Sequence, residues 1–296
     1  MREPPPHVDD ADVLAEVRRA WDDAVERVVY HPVGFGAHHW VAFVGARARL
    51  FVTYDDSDPG ELADVAAAYA GATALRDSGL ESVLAPLPAA AGGATVAFAG
   101  GALSCTPWRD GRPGGPLDLA WTGAALTRLH AAAAPADLPP WRPVVGPDFA
   151  ETTAILTEED WGPGPYAAAA RDAVRSHLAD LDRWTRRYHH LAEVARGRDW
   201  VATHGEPDSG NQLLTAEGRL LVDWESLKLA PRELDLRTLV EAGAETDADP
   251  EMIELFDLEW RLDEITEYAA WFAAPHTGTA DDDIAFEGML GELERA

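Results

Sequence analysis

Two polar segments, each next to an apolar stretch, contain the residues of this sequence best suited to chemistry. The first holds Glu206, Asp208 and Asn211, and the second, shortly after it in the chain, holds Asp223. Amide and carboxylate oxygens are suitable ligands for Mg²⁺, and another carboxylate can take the proton of a hydroxyl group. These residue types in this order predict a magnesium site beside a general base.

Each of these residues could also be an ordinary acid or amide in a hairpin loop that faces water. For one residue alone, this structural interpretation is the better one. The ordered set is different, because apolar stretches on both sides would place the loops at strand ends and bring the side chains together. We therefore interpret the set as functional.

Residues 204–211 read His-Gly-Glu-Pro-Asp-Ser-Gly-Asn, and residues 221–225 read Leu-Val-Asp-Trp-Glu. The first segment resembles the H-G-D-x-H-x-x-N catalytic loop of aminoglycoside phosphotransferases and choline-kinase-like enzymes. The second resembles their I-D-W-E segment, the counterpart of D-F-G in protein kinases. Three further segments resemble a nucleotide-positioning loop, an L-x-x-L-H helix and a D-L segment in the family's order: 33–36, 126–130 and 234–236. The spectinomycin-phosphotransferase-like branch is the most similar, and most of the chain takes part in the resemblance.

The resemblance implies a phosphotransferase that moves the γ-phosphate of ATP or GTP to a hydroxyl of a small, cationic molecule such as an aminoglycoside or aminocyclitol antibiotic. In such an enzyme Glu206 would accept or orient the hydroxyl proton, with Asp208 as the second choice of base. Asn211 and Asp223 would bind Mg²⁺. Phosphoryl transfer needs little more than positioning and neutralisation of charge.

Further roles are implied for residues around this centre. His204 and Asp235 would hold the shape of the catalytic loop. The residues expected at the nucleotide are Gly34, Gly36, Ser104 and Thr106, the last two through backbone groups at the adenine. Antibiotic resistance is an expectation from the family alone.

Three features depart from the family pattern. Glu206 replaces an aspartate, so its carboxylate lies one methylene further from the backbone. The third strand has Thr53-Tyr54 where kinases have a lysine that holds the α- and β-phosphates, and Lys228 is the sole lysine in the chain. Four side chains could replace that lysine, although surface charge explains each one alone: Arg47, Arg49, His38 and His39. Glu61 then has no lysine to pair with and is interpreted as an acid in the first turn of a helix.

Two alternatives stay open at this point. The missing lysine and the changed aspartate would also suit a pseudokinase-like protein that binds a nucleotide or small molecule without turnover. An adenylyltransferase would use the same nucleotide but would produce an AMP-linked acceptor instead of ADP. Loss of turnover in Asp223→Ala, with the fold kept, would separate the enzyme from the binding protein.

The spacing of apolar residues predicts the elements that position these side chains. Helices are predicted at 11–27, 61–77, 117–134, 166–195, 233–242 and 250–273, and strands at 28–30, 39–44, 50–54, 94–99, 102–106, 211–214 and 219–223. We predict an α+β, bilobal, protein-kinase-like fold. Its nucleotide-binding N-lobe, residues 1–107, would be an antiparallel five-stranded sheet with one inserted helix. Its mostly helical C-lobe, residues 108–296, would carry the catalytic loop, the metal ligands and the acceptor-binding helices.

The composition narrows the possible partners. The chain has 24 basic and 52 acidic residues, a formal net charge of −28, and 47% hydrophobic residues. The negative electrostatic field of such a chain excludes general attraction to nucleic acid and favours a cationic substrate. Binding of a nucleotide would need divalent cations to offset the repulsion. Cys105 is the single cysteine, which rules out an intramolecular disulfide, and we find neither a signal peptide nor an apolar run of about 18 residues. We expect a cytoplasmic protein without a membrane partner.

Overall fold

The first 107 residues form helices and strands in the predicted order. The computed structural model describes residues 3–34 and 37–295. Its elements in this part of the chain are α1 (Asp10–Ala20), β1 (Arg27–Tyr30), β2 (His38–Val44), β3 (Arg47–Asp55), α2 (Pro59–Asp77), β4 (Thr95–Phe98) and β5 (Gly101–Pro107). The strands form one antiparallel sheet in the order β1-β2-β3-β5-β4. The prediction of a five-stranded sheet with one helix inserted after the third strand is confirmed.

The two faces of β3 have different surroundings. Leu50, Val52 and Tyr54 are buried in an apolar core that includes residues of α1. Phe51 and Thr53 line a cavity instead. This division follows from the alternation of side chains along a strand, which sends every second residue to the same face.

Helix α2 begins at a capping box. The side chain of Asp58 accepts hydrogen bonds from the amides of Gly60 at 2.7 Å and Glu61 at 3.2 Å, and Glu61 Oε2 accepts one from the Asp58 amide at 3.4 Å. Pro59 occupies the first turn, where its missing N–H leaves no hydrogen bond unmade. Glu61 therefore stabilises the start of the helix, as its position in the first turn indicates.

The rest of the chain is mostly helical with short strands between the helices. Its elements are β6 (Gly111–Pro113), α3 (Leu119–Ala131), α4 (Phe149–Glu158), α5 (Ala167–Ser176), α6 (Leu178–Ala195), β7 (Val201–Thr203), β8 (Gln212–Thr215), β9 (Arg219–Leu221), β10 (Lys228–Ala230), α7 (Glu233–Glu241), α8 (Pro250–Ala273) and α9 (Ala280–Glu294). Strands β6, β8 and β9 form one antiparallel sheet, and β7 pairs with β10 in another.

Several elements differ from the prediction. The helix predicted at 166–195 is two helices that meet at His177, whose backbone leaves the helical region with φ −107° and ψ 8°. Helices α4 and α9 and strands β6 and β10 were not predicted. The turn between β4 and β5 is centred on Ala99 and Gly100, with φ of 50° and 95°, and not on Gly100 and Gly101.

The chain divides into two compact units, each made of two separate stretches of sequence. One unit comprises Met1–Trp141 and Trp200–Thr246, and the other comprises Arg142–Asp199 and Asp247–Ala296. The lobe boundary between residues 107 and 108 stays a prediction. The second unit contains α4, α5, α6, α8 and α9. None of the helices in the described ranges combines the length and the apolar character needed to cross a bilayer.

Candidate active site

The loop between β7 and β8 is fixed by a fully buried carboxylate. Asp235, in the first turn of α7, accepts hydrogen bonds from the amides of His204 at 3.1 Å and Gly205 at 2.8 Å. His130 of α3 donates a third bond from Nε2 at 2.8 Å. Gly205 has φ +98°, and a Cβ atom there would lie 2.8 Å from Ser226 Cβ, so the loop requires glycine at this position. Asp235 thus connects the loop to two helices.

His204 holds the same loop with both ring nitrogens. Its Nε2 lies 3.0 Å from the carbonyl oxygen of Val222, and its Nδ1 lies 3.3 Å from the amide nitrogen of Glu206. A carbonyl accepts and an amide donates, so the proton must be on Nε2 and the ring is neutral. Burial lowers the pKa of His204, in agreement with the neutral ring. The geometry supports the structural roles predicted for His204 and Asp235.

Asp208 and Asn211 organise the far end of the loop. Asp208 Oδ1 accepts bonds from the amides of Gly210 at 2.5 Å and Asn211 at 3.3 Å. Asn211 Nδ2 donates to the carbonyl oxygen of Glu206 at 3.0 Å, which assigns its own carbonyl oxygen to the opposite side of the amide. Asp208 is therefore engaged in shaping the loop, and Glu206 is the better candidate base.

A backbone hydrogen bond brings Asn211 next to the second predicted segment. The Val222 amide donates to the Asn211 carbonyl oxygen at 3.0 Å, and Asp223 follows directly. Asp223 has φ +64°, a left-handed conformation that is uncommon outside glycine and that turns the chain sharply after β9. Trp224 then enters the core, with 1% of its surface exposed. The strained turn leaves Asp223 exposed while its neighbour is buried.

A cavity of about 310 Å³ lies beside these segments, within the first unit. Four residues predicted at the nucleotide or the metal lie in its wall: Gly34, Thr106, Asn211 and Asp223. The structure describes Glu206, Asp208 and Ser104, but these residues are not part of the wall. Gly36 lies outside the described residues. Ser104 is instead buried inside β5, where its side chain lies near the buried Tyr69 of α2.

Three carboxyl groups lie close together near this cavity. Asp55, at the end of β3, lies close to Glu225, and both are near Asp223. Removal from water, together with the negative charge of the neighbouring acids, raises the pKa of Asp55 and of Glu225 to about 7.

Our sequence analysis did not identify Asp55 as a site residue. The signal that could have found it is alternation, because Phe51, Thr53 and Asp55 are every second residue of one strand and therefore share a face. Asp55 is only 5% exposed, and in the part of the chain that the structure describes its Oδ2 atom has no hydrogen-bond partner. Where related kinases have a lysine, β3 thus carries a hydroxyl and a carboxyl.

The donor set near the cavity suits a hard divalent cation. Asn211 offers an amide oxygen, and Asp223 offers a carboxylate exposed to the cavity. Asp55 and Glu225 lie near Asp223, so a cation bound there would also be attracted by these neighbouring acids. Within residues 3–34 and 37–295, no three His, Cys, Asp or Glu side chains form a metal-binding group. Oxygen atoms of a bound nucleotide would have to complete the coordination of a cation here.

Known proteins resemble this chain in sequence and in fold. The model of the phosphotransferase enzyme family matches residues 29–271. Protein StrN of Streptomyces griseus is 33% identical over 249 residues, which cover 76% of each chain. Among solved structures, spectinomycin phosphotransferase APH(9)-Ia in complex with ADP and spectinomycin has a TM-score of 0.72 at 15% identity, over 96% of this chain and 94% of that one. A microcompartment-associated aminopropanol kinase has a TM-score of 0.60 at 14% identity, over 96% and 95% of the two chains.

These likenesses confirm the predicted fold class and the family resemblance. The family model spans most of the chain and includes both segments that carry the candidate site. The fold comparisons place the α+β arrangement among kinase-like phosphotransferases. The chain therefore belongs to the phosphotransferase enzyme family, and it is a kinase-like phosphotransferase of the type that uses an alcohol group as acceptor.

Proposed function

We propose that this enzyme transfers the terminal phosphoryl group of ATP or GTP to a hydroxyl of a small cationic molecule such as an aminoglycoside or an aminocyclitol. The observation that carries the proposal is the hydrogen bond from the Val222 amide to the Asn211 carbonyl oxygen. It joins the two predicted metal-binding segments at the wall of one cavity. A nucleotide bound in that cavity would present its phosphates to an amide oxygen and a carboxylate.

The residues have distinct roles in the proposed reaction. Asn211 and Asp223 would hold Mg²⁺, which supplies neutralisation of phosphate charge when it is bound. The acceptor oxygen forms a bond to the γ-phosphorus, the bond from that phosphorus to the bridging oxygen breaks, and the nucleoside diphosphate leaves. Glu206 receives the hydroxyl proton. Thr106 and Gly34 contact the nucleotide from the cavity wall, where they lie in this structure.

The charge of the chain and the names of its neighbours support a cationic acceptor. A net charge of −28 attracts amines and repels anions over the whole surface. Spectinomycin and aminopropanol, the compounds in the names of two structural neighbours, both carry amino and hydroxyl groups. We therefore expect the acceptor to be an amino alcohol.

A catalytically impaired binding protein is the second candidate. The observation that favours it is the acidic end of β3, where the buried Asp55 contacts Glu225 and Thr53 occupies the position expected for the lysine. Such a protein would bind the nucleotide or the small molecule and release no product. The same assay distinguishes the two candidates.

The test is Mg²⁺-dependent release of ADP or GDP by the purified protein, with ATP and GTP each offered together with aminoglycosides, aminocyclitols and simple amino alcohols. We expect acceptor-stimulated release that falls at least about 100-fold in Asp223→Ala. Glu217→Ala is the matched control, because Glu217 is an exposed acid in the β8–β9 turn of the same hairpin. Release that is absent with every acceptor, or unchanged in Asp223→Ala, would contradict the proposal.

A further inference from the structure

The third strand offers no ammonium group to a nucleotide. Lys228, the sole lysine, is on β10, and Thr53 is at the position expected for the kinase lysine. Of the described residues in the cavity wall, only Arg109 is an arginine or lysine, and it lies just after β5 beside Thr106, where the base is expected. Another group must therefore contact the phosphates.

The structure separates the four side chains that could replace the lysine. Arg49 is exposed and forms an ion pair with Asp22, at 3.1 Å from Nε to Oδ2. Arg47 is exposed at the β2–β3 turn and lines a different concavity. His38 is on the opposite face of β2, where its Nδ1 lies 3.1 Å from the hydroxyl of Tyr30. His39 alone among the four lines the cavity that also contains Asn211 and Asp223.

Its neighbours hold His39 in one orientation. His39 pairs with Thr53 across the β2–β3 ladder, and its Nδ1 lies 3.2 Å from Thr53 Oγ1. Its ring stacks on Phe51, with centroids 4.8 Å apart and planes inclined by 29°. These contacts leave the Nε2 edge of the ring pointing away from Thr53.

That Nε2 edge lies next to Gly34, a residue of the predicted nucleotide-positioning loop. A Cβ atom built on Gly34 would be 3.3 Å from His39 Nε2, and Gly34 has φ +71°. A side chain at position 34 would therefore crowd the imidazole and strain the backbone. The absence of a side chain keeps Nε2 accessible at the same wall as the candidate metal ligands.

The imidazole is neutral in these surroundings. Burial lowers the pKa of His39 to about 3, with smaller contributions from His31 and His38. A neutral ring has one N–H donor. If the Thr53 hydroxyl donates to Nδ1, that donor is Nε2–H, at the cavity side of the ring.

We propose that His39, held by Thr53 and Phe51, donates a hydrogen bond from Nε2 to the phosphates of the bound nucleotide and so takes the place of the missing lysine. The inference rests on the proposed function and gives one residue of β2 a specific role in binding the nucleotide. It predicts that His39 contributes to recognition of the phosphates and not of the nucleoside.

Calorimetric titration of the full chain with Mg·ADP and, separately, with adenosine tests this assignment. In His39→Leu we expect affinity for ADP to fall about 10-fold and affinity for adenosine to stay within about twofold, because the lost bond is to a charged acceptor. His39→Gln keeps a neutral N–H donor at similar reach, and we expect ADP affinity within about threefold of the wild type. His38→Leu, on the opposite face of β2, should bind both ligands normally.

The outcomes separate this inference from the function on which it rests. Wild-type protein that binds neither ligand would contradict the proposed function and this inference with it. Wild-type protein that binds ADP, with equal ADP affinity in His39→Leu, would contradict the role of His39 alone, as would an equal loss for adenosine. If His39→Leu does not fold, His39→Phe keeps the stacking on Phe51 and should show the same selective loss of ADP affinity.

Discussion

At the scale of single residues, Asp235 and Asp55 show two opposite ways in which this protein buries a carboxyl group. Asp235 is fully buried but accepts two amide hydrogen bonds and one from His130, so its charge is compensated. Asp55 is nearly as buried, yet its neighbours are the acids Glu225 and Asp223. The first arrangement stabilises a loop, while the second leaves a buried carboxyl group next to other acids, which is unfavourable when the group is charged.

The burial of Asp55, together with the negative charge of Asp223, predicts a pH-dependent effect of Asp55→Asn. The pKa of Asp55 rises from 3.8 in the unfolded chain to about 7 in the folded protein, so the folded protein holds the proton more tightly. The free energy of unfolding must then fall as pH rises from about 4 through about 7. The pKa change corresponds to at most about 4 kcal/mol, and part of it belongs to the neighbouring acids. We expect Asp55→Asn to be about 1–2 kcal/mol more stable than the wild type at pH 8, and equally stable near pH 4.

Urea unfolding followed by circular dichroism at both pH values measures this difference. Asp64→Asn is the matched control, because Asp64 is an exposed acid on the following helix α2. We expect no pH-dependent difference in the control. A variant Asp55→Asn that is less stable at pH 8 would show that the carboxylate form has a compensating partner.

The site residues differ in how far sequence could predict them. Glu206, Asn211 and Asp223 lie within short local motifs. Their grouping requires only that the neighbouring strands end close together. Asp55 and His39 depend on the face that each strand turns toward the cavity, and that face depends on the register between β2 and β3. Sequence alone leaves four side chains that could replace the lysine, because it does not reveal the register between β2 and β3.

At the scale of secondary structure, helix α2 has a strong start. Asp58, Pro59 and Glu61 together satisfy the amide groups of the first turn. The helix begins directly after the strand that carries Thr53 and Asp55, and it places Tyr69 against Ser104. Its capping box therefore fixes the point at which the chain leaves the site.

Asp58→Ala is predicted to destabilise the protein by about 1 kcal/mol, because two amide groups would lose their acceptor. Chemical unfolding of the purified variant gives the free energy of unfolding. Asp64→Ala removes an exposed acid from the same helix and serves as the control. Equal stability of both variants would indicate that water replaces the cap without cost.

The differences between the predicted and the observed helices have identifiable causes. The apolar spacing continues through the break at His177, where no proline or glycine marks an end. Helix α4 contains three threonines in ten residues, which weakens its helical signal. Helix α9, by contrast, begins with a capping box of Thr279 and Asp282, and that pattern was available in the sequence.

At the scale of the whole molecule, the charge of −28 opposes the compact state. Acids outnumber basic residues by 52 to 24, and many arginines are paired at the surface, as Arg187 is with Glu254. The excess acidic residues repel one another across the molecule. Salt shortens the range of this repulsion from about 30 Å at 0.01 M to about 3 Å at 1 M.

We therefore expect the thermal midpoint to rise by about 5 °C when NaCl is raised from about 0.01 M to about 1 M. Differential scanning fluorimetry across a salt series measures the shift. Sucrose at matched osmolality separates screening from exclusion of solute from the surface. A midpoint that falls with salt would mean that attractive ion pairs outweigh the excess of acids.

The interleaving of the two units in sequence has a consequence for synthesis on the ribosome. The chain begins the first unit, continues into the second at residue 142, returns at residue 200 and ends in the second after residue 246. The nascent first unit therefore cannot be completed before residues 200–246 are synthesised, and these residues carry the predicted catalytic loop and Asp235. The helices of 142–199 emerge before α8 and α9 exist to cover them. A ribosome-bound chain arrested near residue 200 should be sensitive to protease in both units. Because apolar helix surface is exposed at that stage, we expect a chaperone to bind the chain then.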